Sequence, residues 1–254
     1  MAMLGAIQWQ VQGSVATVTL SNPQKMNAMT RAMWRQLREA FQRIQAHRAL
    51  RCVLVQGAGD HFCAGGDIAE YPSFRFDPAS LRDFHEEDVW GALQAMLDCP
   101  VPLLALIRGN CMGAGLEIAS ACDLRLAGQG SRFGAPIARL GFPMAPREAD
   151  LVQRAIGATA AHAMLLAAEI YEAQRLPCGF LTWCLPDEAL EEHVQAVLKR
   201  MAQLSPQAAQ LNKAQLQQGV PRLGETPDSA YAYADSPEHR EGIEAFLVKR
   251  PALF

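Results

Sequence analysis

Between Arg108 and Asp123 the chain runs Gly-Asn-Cys-Met-Gly-Ala-Gly-Leu-Glu-Ile-Ala-Ser-Ala-Cys, and Glu117 is the only charged residue in it. Glycine, alanine, leucine, isoleucine and cysteine on every side leave this stretch no solvent face, so the carboxylate is expected to be buried. An unpaired buried carboxylate is costly unless the site uses it. A capping box does not account for it, because the residue three positions earlier is Ala114 rather than Ser or Thr. Gly109, Gly113 and Gly115 fall where a strand gives way to a helix, and there they let a ligand approach the free backbone N–H groups of the helix start. Such a site suits a phosphate, a pyrophosphate or an oxyanion formed during a reaction. No Gly-Lys-Ser/Thr follows, as a phosphate loop requires. The glycine spacing and the position of the next acid, Asp123, do not fit a dinucleotide fingerprint. The oxyanion remains, with Glu117 on the same helical face as the Ala114 N–H, so that one surface would hold an anion and a proton-transfer group together.

Other chemistry-bearing residues carry weaker signals. The chain has seven cysteines, an odd number, and most lie in apolar runs with no Cys-x-x-Cys pair, which predicts buried free thiols. Histidines are scattered singly, and His85-Glu86-Glu87-Asp88 lacks the second histidine of an i,i+4 metal pair. It is expected to be a solvated helix face, and no metal is expected.

The elements that position Glu117 follow from periodicity. Ala6 to Val11 and Val15 to Leu20 are β-prone runs on either side of Gln12-Gly13-Ser14, an opening hairpin. Thr30 caps a helix with apolar residues at Met33, Leu37, Ala40, Phe41 and Ile44, ending near His47. Cys52 to Gln56 is a buried strand leading into the glycine-rich loop Phe62-Cys-Ala-Gly-Gly-Asp67, whose Asp67 is placed to cap a turn. Ala79 to Leu97 reads as a helix, with Trp90, Leu93 and Met96 as core. Then come a strand from Leu103 to Ile107, a small-residue helix from Gly109 to Cys122 and a strand from Asp123 to Ala127. Helical patterns follow at Leu151 to Ile156, Ala158 to Ala168, Asp187 to Leu204 and Pro206 to Gln218. Pro221 to Pro237 reads as a loop with one turn, and Pro237 to Lys249 as a last amphipathic helix. Strands alternating with helices define an α/β protein. The expected division is a core over residues 1–195 and a helical region over 196–254.

Composition narrows the function further. Half of the 254 residues are apolar, 19% are charged and the formal net charge is −3. This excludes a disordered chain and a reader of nucleic-acid backbones. No apolar run approaches the ~20 residues of a membrane span, and no secretory signal is visible at the start. A cytoplasmic protein without a membrane or nucleic-acid partner is expected.

Three segments together resemble one family. FCAGGD at Phe62 to Asp67, GNCMGAGLEIASACDLRLA at Gly109 to Ala127 and the ending EGIEAFLVKRPALF are similar to the crotonase (enoyl-CoA hydratase/isomerase) superfamily, and SNPQKMNAM at Ser21 to Met29 is similar to its early Asn-Ala-Leu segment. The resemblance implies a crotonase-like spiral of ββα units with C-terminal helices that pack in a homotrimer or a dimer of trimers. It implies an acyl-CoA thioester as substrate, with coenzyme A entering as part of it and no permanently bound cofactor. The thioester oxygen would meet the N–H groups of Gly66 and Ala114, and Glu117 would be the acid/base. Coenzyme A would run along Lys25, Met26, Ala28, Ala64, Gly65, Asp67 and Gly113, with Lys249 or Arg250 at a phosphate. Hydratases of the family carry a second glutamate in a Phe-Gly-x-Pro-Glu segment, and here Phe133-Gly-Ala-Pro-Ile137 has isoleucine in its place. The resemblance therefore implies hydration or double-bond isomerisation of an enoyl-CoA, with a single-carboxylate reaction through Glu117 preferred over ordinary two-glutamate hydration. Glu148 and Asp150 are replacement acids only if they are not the exposed helix-start charges their position suggests. The alternatives are a non-catalytic acyl-CoA-binding relative, or another reaction of the family such as decarboxylation or thioester hydrolysis.

Overall fold

The computed structural model describes residues 5–177, 179–217 and 228–254. Strands β1 (Ala6–Gln12) and β2 (Val15–Ser21) form the expected antiparallel hairpin. Ala16, Val18 and Leu20 are fully buried on one face of β2, the period of two that a half-covered strand requires. Helix α1 (Arg31–Gln45) starts where Thr30 accepts the Met33 N–H at 3.1 Å. It buries Met33, Trp34, Leu37, Phe41 and Ile44 against the sheet. Strand β3 (Cys52–Gly57) pairs parallel to β2, and the loop after it ends in a 3₁₀ turn, Ile68–Ser73, capped by Asp67.

The helix expected over Ala79 to Leu97 is a run of three pieces: α2 (Pro78–Asp83), a π-helical stretch (Phe84–Val89) and α3 (Trp90–Leu97). Leu93 and Met96 are core, as expected, and Trp90 packs at its edge. The chain continues through β4 (Leu103–Ile107), β5 (Asn110–Met112), α4 (Ala114–Ser120), β6 (Leu124–Gly128) and β7 (Arg132–Gly134). Next come α5 (Pro146–Ile156), α6 (Ala158–Leu166), β8 (Ile170–Glu172), β9 (Trp183–Leu185), α7 (Leu190–Ala202), α8 (Pro206–Gln217) and α9 (Pro237–Leu247).

A six-stranded sheet has the order β1-β2-β3-β4-β6-β9, parallel beyond the hairpin, and a three-stranded sheet has the order β5-β7-β8. The larger sheet is covered on both faces, which is why its strands read as continuous apolar runs. Val53, Val55, Leu103, Ala105 and Ile107 face the main core, whereas Cys52, Leu54, Leu104, Leu106 and Leu126 face α7. The boundary expected at 195/196 falls inside α7, whose Leu190, Val194, Val197, Leu198 and Met201 belong to that second cluster.

Three expectations need correction. The helix expected from Gly109 begins only at Ala114, because Asn110–Met112 pairs with β7 and Gly113 turns the chain. Strands β5, β7, β8 and β9 have three residues each, too few to show alternation in the sequence. Cys52, Cys63, Cys99, Cys111 and Cys122 are buried free thiols, but Cys184 is only half-buried, and Cys178 lies outside the described residues. Of the Pro221 to Pro237 loop, 221–227 lies outside them too, and one 3₁₀ turn follows at Asp228–Tyr231. Among the described residues no helix is long and apolar enough to cross a membrane.

Candidate active site

Two loops are stitched together to make one wall of a cavity. Asn27, fully buried, accepts the Asn22 N–H at 2.9 Å and donates to the carbonyls of Ala58 (2.8 Å) and His61 (2.7 Å). This fixes the Lys25–Met29 segment against the chain leaving β3. Met29 then brackets the glycine-rich loop, donating to the Gly65 carbonyl and accepting from Asp67 N–H, both at 2.8 Å. On its other side the loop pairs with β5, through Cys63 N–H to Asn110 O and Met112 N–H to Cys63 O, both at 2.9 Å. The Gly66 N–H has no partner among the described residues. Neither has the Ala114 N–H, which as the first residue of α4 has no carbonyl within its own helix to reach. Gly113, at φ +48°, makes the turn that presents it. A Cβ at Gly66 would lie 2.1 Å from the Tyr71 hydroxyl oxygen, so Tyr71 packs where any other residue would put a side chain.

These groups open on a cavity of about 380 Å³. Every residue of α4 except Glu117 is buried. Glu117, expected to be buried, is half-buried and lines the cavity. Burial pushes its pKa up to about 8, the charge of Glu148 pushes the same way, and Arg75 opposes both. Among the described residues lining the cavity it is the only carboxylate. Ile137 lines the cavity as well and puts an alkyl group there.

The rest of the lining comes largely from the π-helical stretch and the segment that leads into α5. Phe84, His85 and Val89 line the cavity, as do Phe142 and Met144. Glu148 is 2% exposed and sits 3.1 Å from His85 Nδ1. It is therefore not the exposed helix-start charge that the sequence suggested. Asp150 is one, with its side chain 59% exposed and paired to Arg154 at 2.9 Å. The His85–Asp88 segment also departs from expectation. Only Glu86 and Glu87 are exposed, His85 faces the cavity, and Asp88 is buried between Arg31 and Arg35 at 2.6 and 2.7 Å. The π stretch lies between two α-helical pieces, a setting in which such turns commonly re-aim side chains toward a site.

Of the residues expected at the site, Met26, Ala64, Gly65, Gly66, Gly113, Ala114 and Glu117 line the cavity together. Lys25 and Asp67 pair with each other at 2.6 Å beside it, and Ala28 is buried behind it. Lys249 and Arg250 do not line it, and Arg250 makes a two-pronged pair with Glu241. Tyr71, Arg75 and His85 line the cavity and were not singled out from the sequence as site residues, because nothing in their spacing connects them to Glu117. Burial raises the Tyr71 hydroxyl pKa, Arg75 opposes the rise, and Glu117 adds to it. Among the described residues no three His, Cys, Asp or Glu side chains cluster as a metal site would require.

Comparison with known proteins gives a consistent answer. The family model described as enoyl-CoA hydratase/isomerase matches residues 10–254. A probable enoyl-CoA hydratase of Rhodobacter capsulatus is 30% identical over 255 residues, covering 98% of this chain and 97% of the relative. The 2,3-dehydroadipyl-CoA hydratase of Escherichia coli is 29% identical over 249 residues, 96% of each chain. The crystal structure of an enoyl-CoA hydratase/carnitine racemase from Magnetospirillum magneticum superimposes with a TM-score of 0.91 at 34% identity, covering 99% of this chain and 96% of that one. The chain belongs to the crotonase (enoyl-CoA hydratase/isomerase) superfamily and has its α/β fold, with helices at the C-terminal end. It is an acyl-CoA enzyme of that family, whose substrates are coenzyme A thioesters.

Proposed function

We propose that the protein hydrates the double bond of an enoyl-CoA thioester, with Glu117 as acid/base and the N–H groups of Gly66 and Ala114 holding the thioester oxygen. The observation that carries this reading is the opening of the Glu117 carboxylate on the same cavity as two unpartnered N–H groups. As water oxygen bonds to C3, negative charge moves onto the thioester oxygen to form an enolate. Preoriented donors stabilise that charge without reorganisation. One proton must leave the water and one must reach C2. Glu117 and His85 both line the cavity and divide these two transfers, with Glu148 holding the imidazole through Nδ1. His85 thus takes the part that a carboxylate at position 137 would otherwise play.

Coenzyme A is proposed to lie along Met26, Ala28, Ala64, Gly65 and Gly113, with the Lys25–Asp67 pair at its edge. Its phosphate end, outside the cavity, is left to surface cations, Lys249 and Arg250 among them. Exposed apolar side chains on α8 and α9, Leu216, Ile243, Phe246 and Leu247, support self-association as a homotrimer or a dimer of trimers. Ile137 favours a second reaction, isomerisation, in which Glu117 alone carries a proton between C2 and C4 of the enolate.

Absorbance at the enoyl-thioester band tests these readings with trans-2-enoyl-CoA and 3-enoyl-CoA esters. Loss of the band from 2-enoyl esters, abolished by Glu117→Gln, supports hydration. Growth of the band from 3-enoyl esters alone supports isomerisation. Silence on both, with binding of acyl-CoA esters intact, leaves a binding protein or another reaction of the family.

A further inference from the structure

The cavity holds a cation that none of the steps above uses. The Arg75 guanidinium lines it, stacked 3.9 Å from the Phe142 ring centroid and 4.2 Å from that of Tyr71. Among the described residues no carboxylate lies within 4.0 Å of it, whereas the nearby Arg31 and Arg147 each have one. Its Nε is shut off from solvent and has no hydrogen-bond partner. The surrounding wall is apolar, with Phe84, Val89, Ile137 and Met144 among its residues. A guanidinium held flat by two rings is preorganised to bind a planar anion through two parallel hydrogen bonds from its Nη groups.

We propose that Arg75 sets substrate choice and that the acyl chain this cavity takes carries a carboxylate, which pairs with the Arg75 guanidinium while the thioester lies at Gly66 and Ala114. This rests on the acyl-CoA reading above and adds the class of acyl group. Within the protein Arg75 has only the Tyr71 hydroxyl and the more distant charge of Glu117, and a substrate carboxylate would supply the close anion that these do not. An uncharged alkyl chain of the same length would leave the cation unpaired and cover it from water. Charge-assisted pairs of this kind are worth about 10- to 100-fold in affinity.

The test compares trans-2-enoyl-CoA esters of four to eight carbons with trans-2-enedioyl-CoA esters of the same lengths. At one length or more, kcat/KM should favour the dioic ester about 10- to 100-fold. Arg75→Leu should reduce the dioic ester's value far more than the alkyl ester's, and Arg75→Lys should retain part of the gap. Equal values for wild type at every length overturn the proposal, and this comparison needs no variant. Equal losses on both ester classes in Arg75→Leu also overturn it, because Arg75 would then be only a counter-charge to Glu117. If no enoyl ester turns over, the proposed reaction falls, but dissociation constants for adipoyl-CoA and hexanoyl-CoA still decide the role of Arg75. Tighter adipoyl-CoA binding that Arg75→Leu removes supports it, and equal binding overturns it.

Discussion

The two walls of the cavity are built by different means. The wall formed by 62–67 and 109–117 is mostly backbone: beside the Glu117 carboxylate it presents two N–H groups, held by paired segments of the loop and β5. The wall formed by 71–90 and 136–148 is side chain: its working atoms are the ends of Arg75, His85 and Tyr71, aimed by an aromatic cluster and a π-helical stretch. Backbone donors cannot be exchanged by substitution, only misplaced. The side-chain wall is free to change with the substrate, and it is here that Ile137 stands where a glutamate is usual in hydratases of the family.

The largest expected effect tests the first wall. Glu117→Gln should lower kcat by about 10²–10⁴-fold, the usual contribution of a positioned acid/base group. Binding of acyl-CoA esters, followed by thermal shift, should persist. Gly66→Ala comes next, with an expected loss of about 10²–10³-fold as for an impaired oxyanion donor. Its cause lies on the other wall, since the new methyl would meet the Tyr71 hydroxyl oxygen at 2.1 Å but the ring carbon Cζ only at 3.1 Å. Gly66→Ala with Tyr71→Phe should therefore recover part of the loss. A double-mutant cycle with no coupling would show that the walls do not constrain each other in this way.

The same contrast explains which features could be read from the sequence. Gly113 must reach a positive φ and Gly66 must admit Tyr71, so the backbone wall leaves glycines at fixed places. Glu117 stands out because it is the only charge in an apolar helix. Thr30, Asp67 and the buried runs of β3 and β4 were legible for similarly local reasons. Arg75 and His85 look like any polar residues near a helix, because their roles arise only when distant segments meet. Glu148 is in the first turn of α5, where a solvated acid is ordinary, and its burial beside His85 of the π-helical stretch arises only in the fold. The three-residue strands are held by register with their partners, which periodicity within three residues does not encode.

A smaller effect separates the two late carboxylates. The charge of Glu148 raises the Glu117 pKa, so Glu148→Gln should move the Glu117 limb of the kcat/KM profile from about 8 to lower pH. Glutamine still offers His85 Nδ1 an amide oxygen but not a charge, so the same change should lower kcat several-fold through a weaker hold on the imidazole. Asp150→Asn, on an exposed side chain paired to Arg154, should change neither quantity. A Glu148→Gln profile superimposable on wild type would mean that this wall takes no part in proton transfer.

The smallest effect concerns stability. Glu117 has a folded pKa of about 8 against 4.5 for the free group, so the folded chain binds more protons than the unfolded chain between those values. Stability therefore falls as pH rises from about 4.5 to about 8, and the full cost of the ionised carboxylate is present above about 8. Glutamine has the same shape and no charge to desolvate. Glu117→Gln should thus be more stable than wild type at pH 9, with Tm higher by about 2–4 °C for each kcal/mol removed in a chain of this size. At pH 4 the difference should shrink, because Glu117 is then protonated in both states. A Tm difference that stays constant across this range would mean that Glu117 ionises in the cavity without penalty, and its place on the backbone wall would then supply position alone rather than a strengthened base.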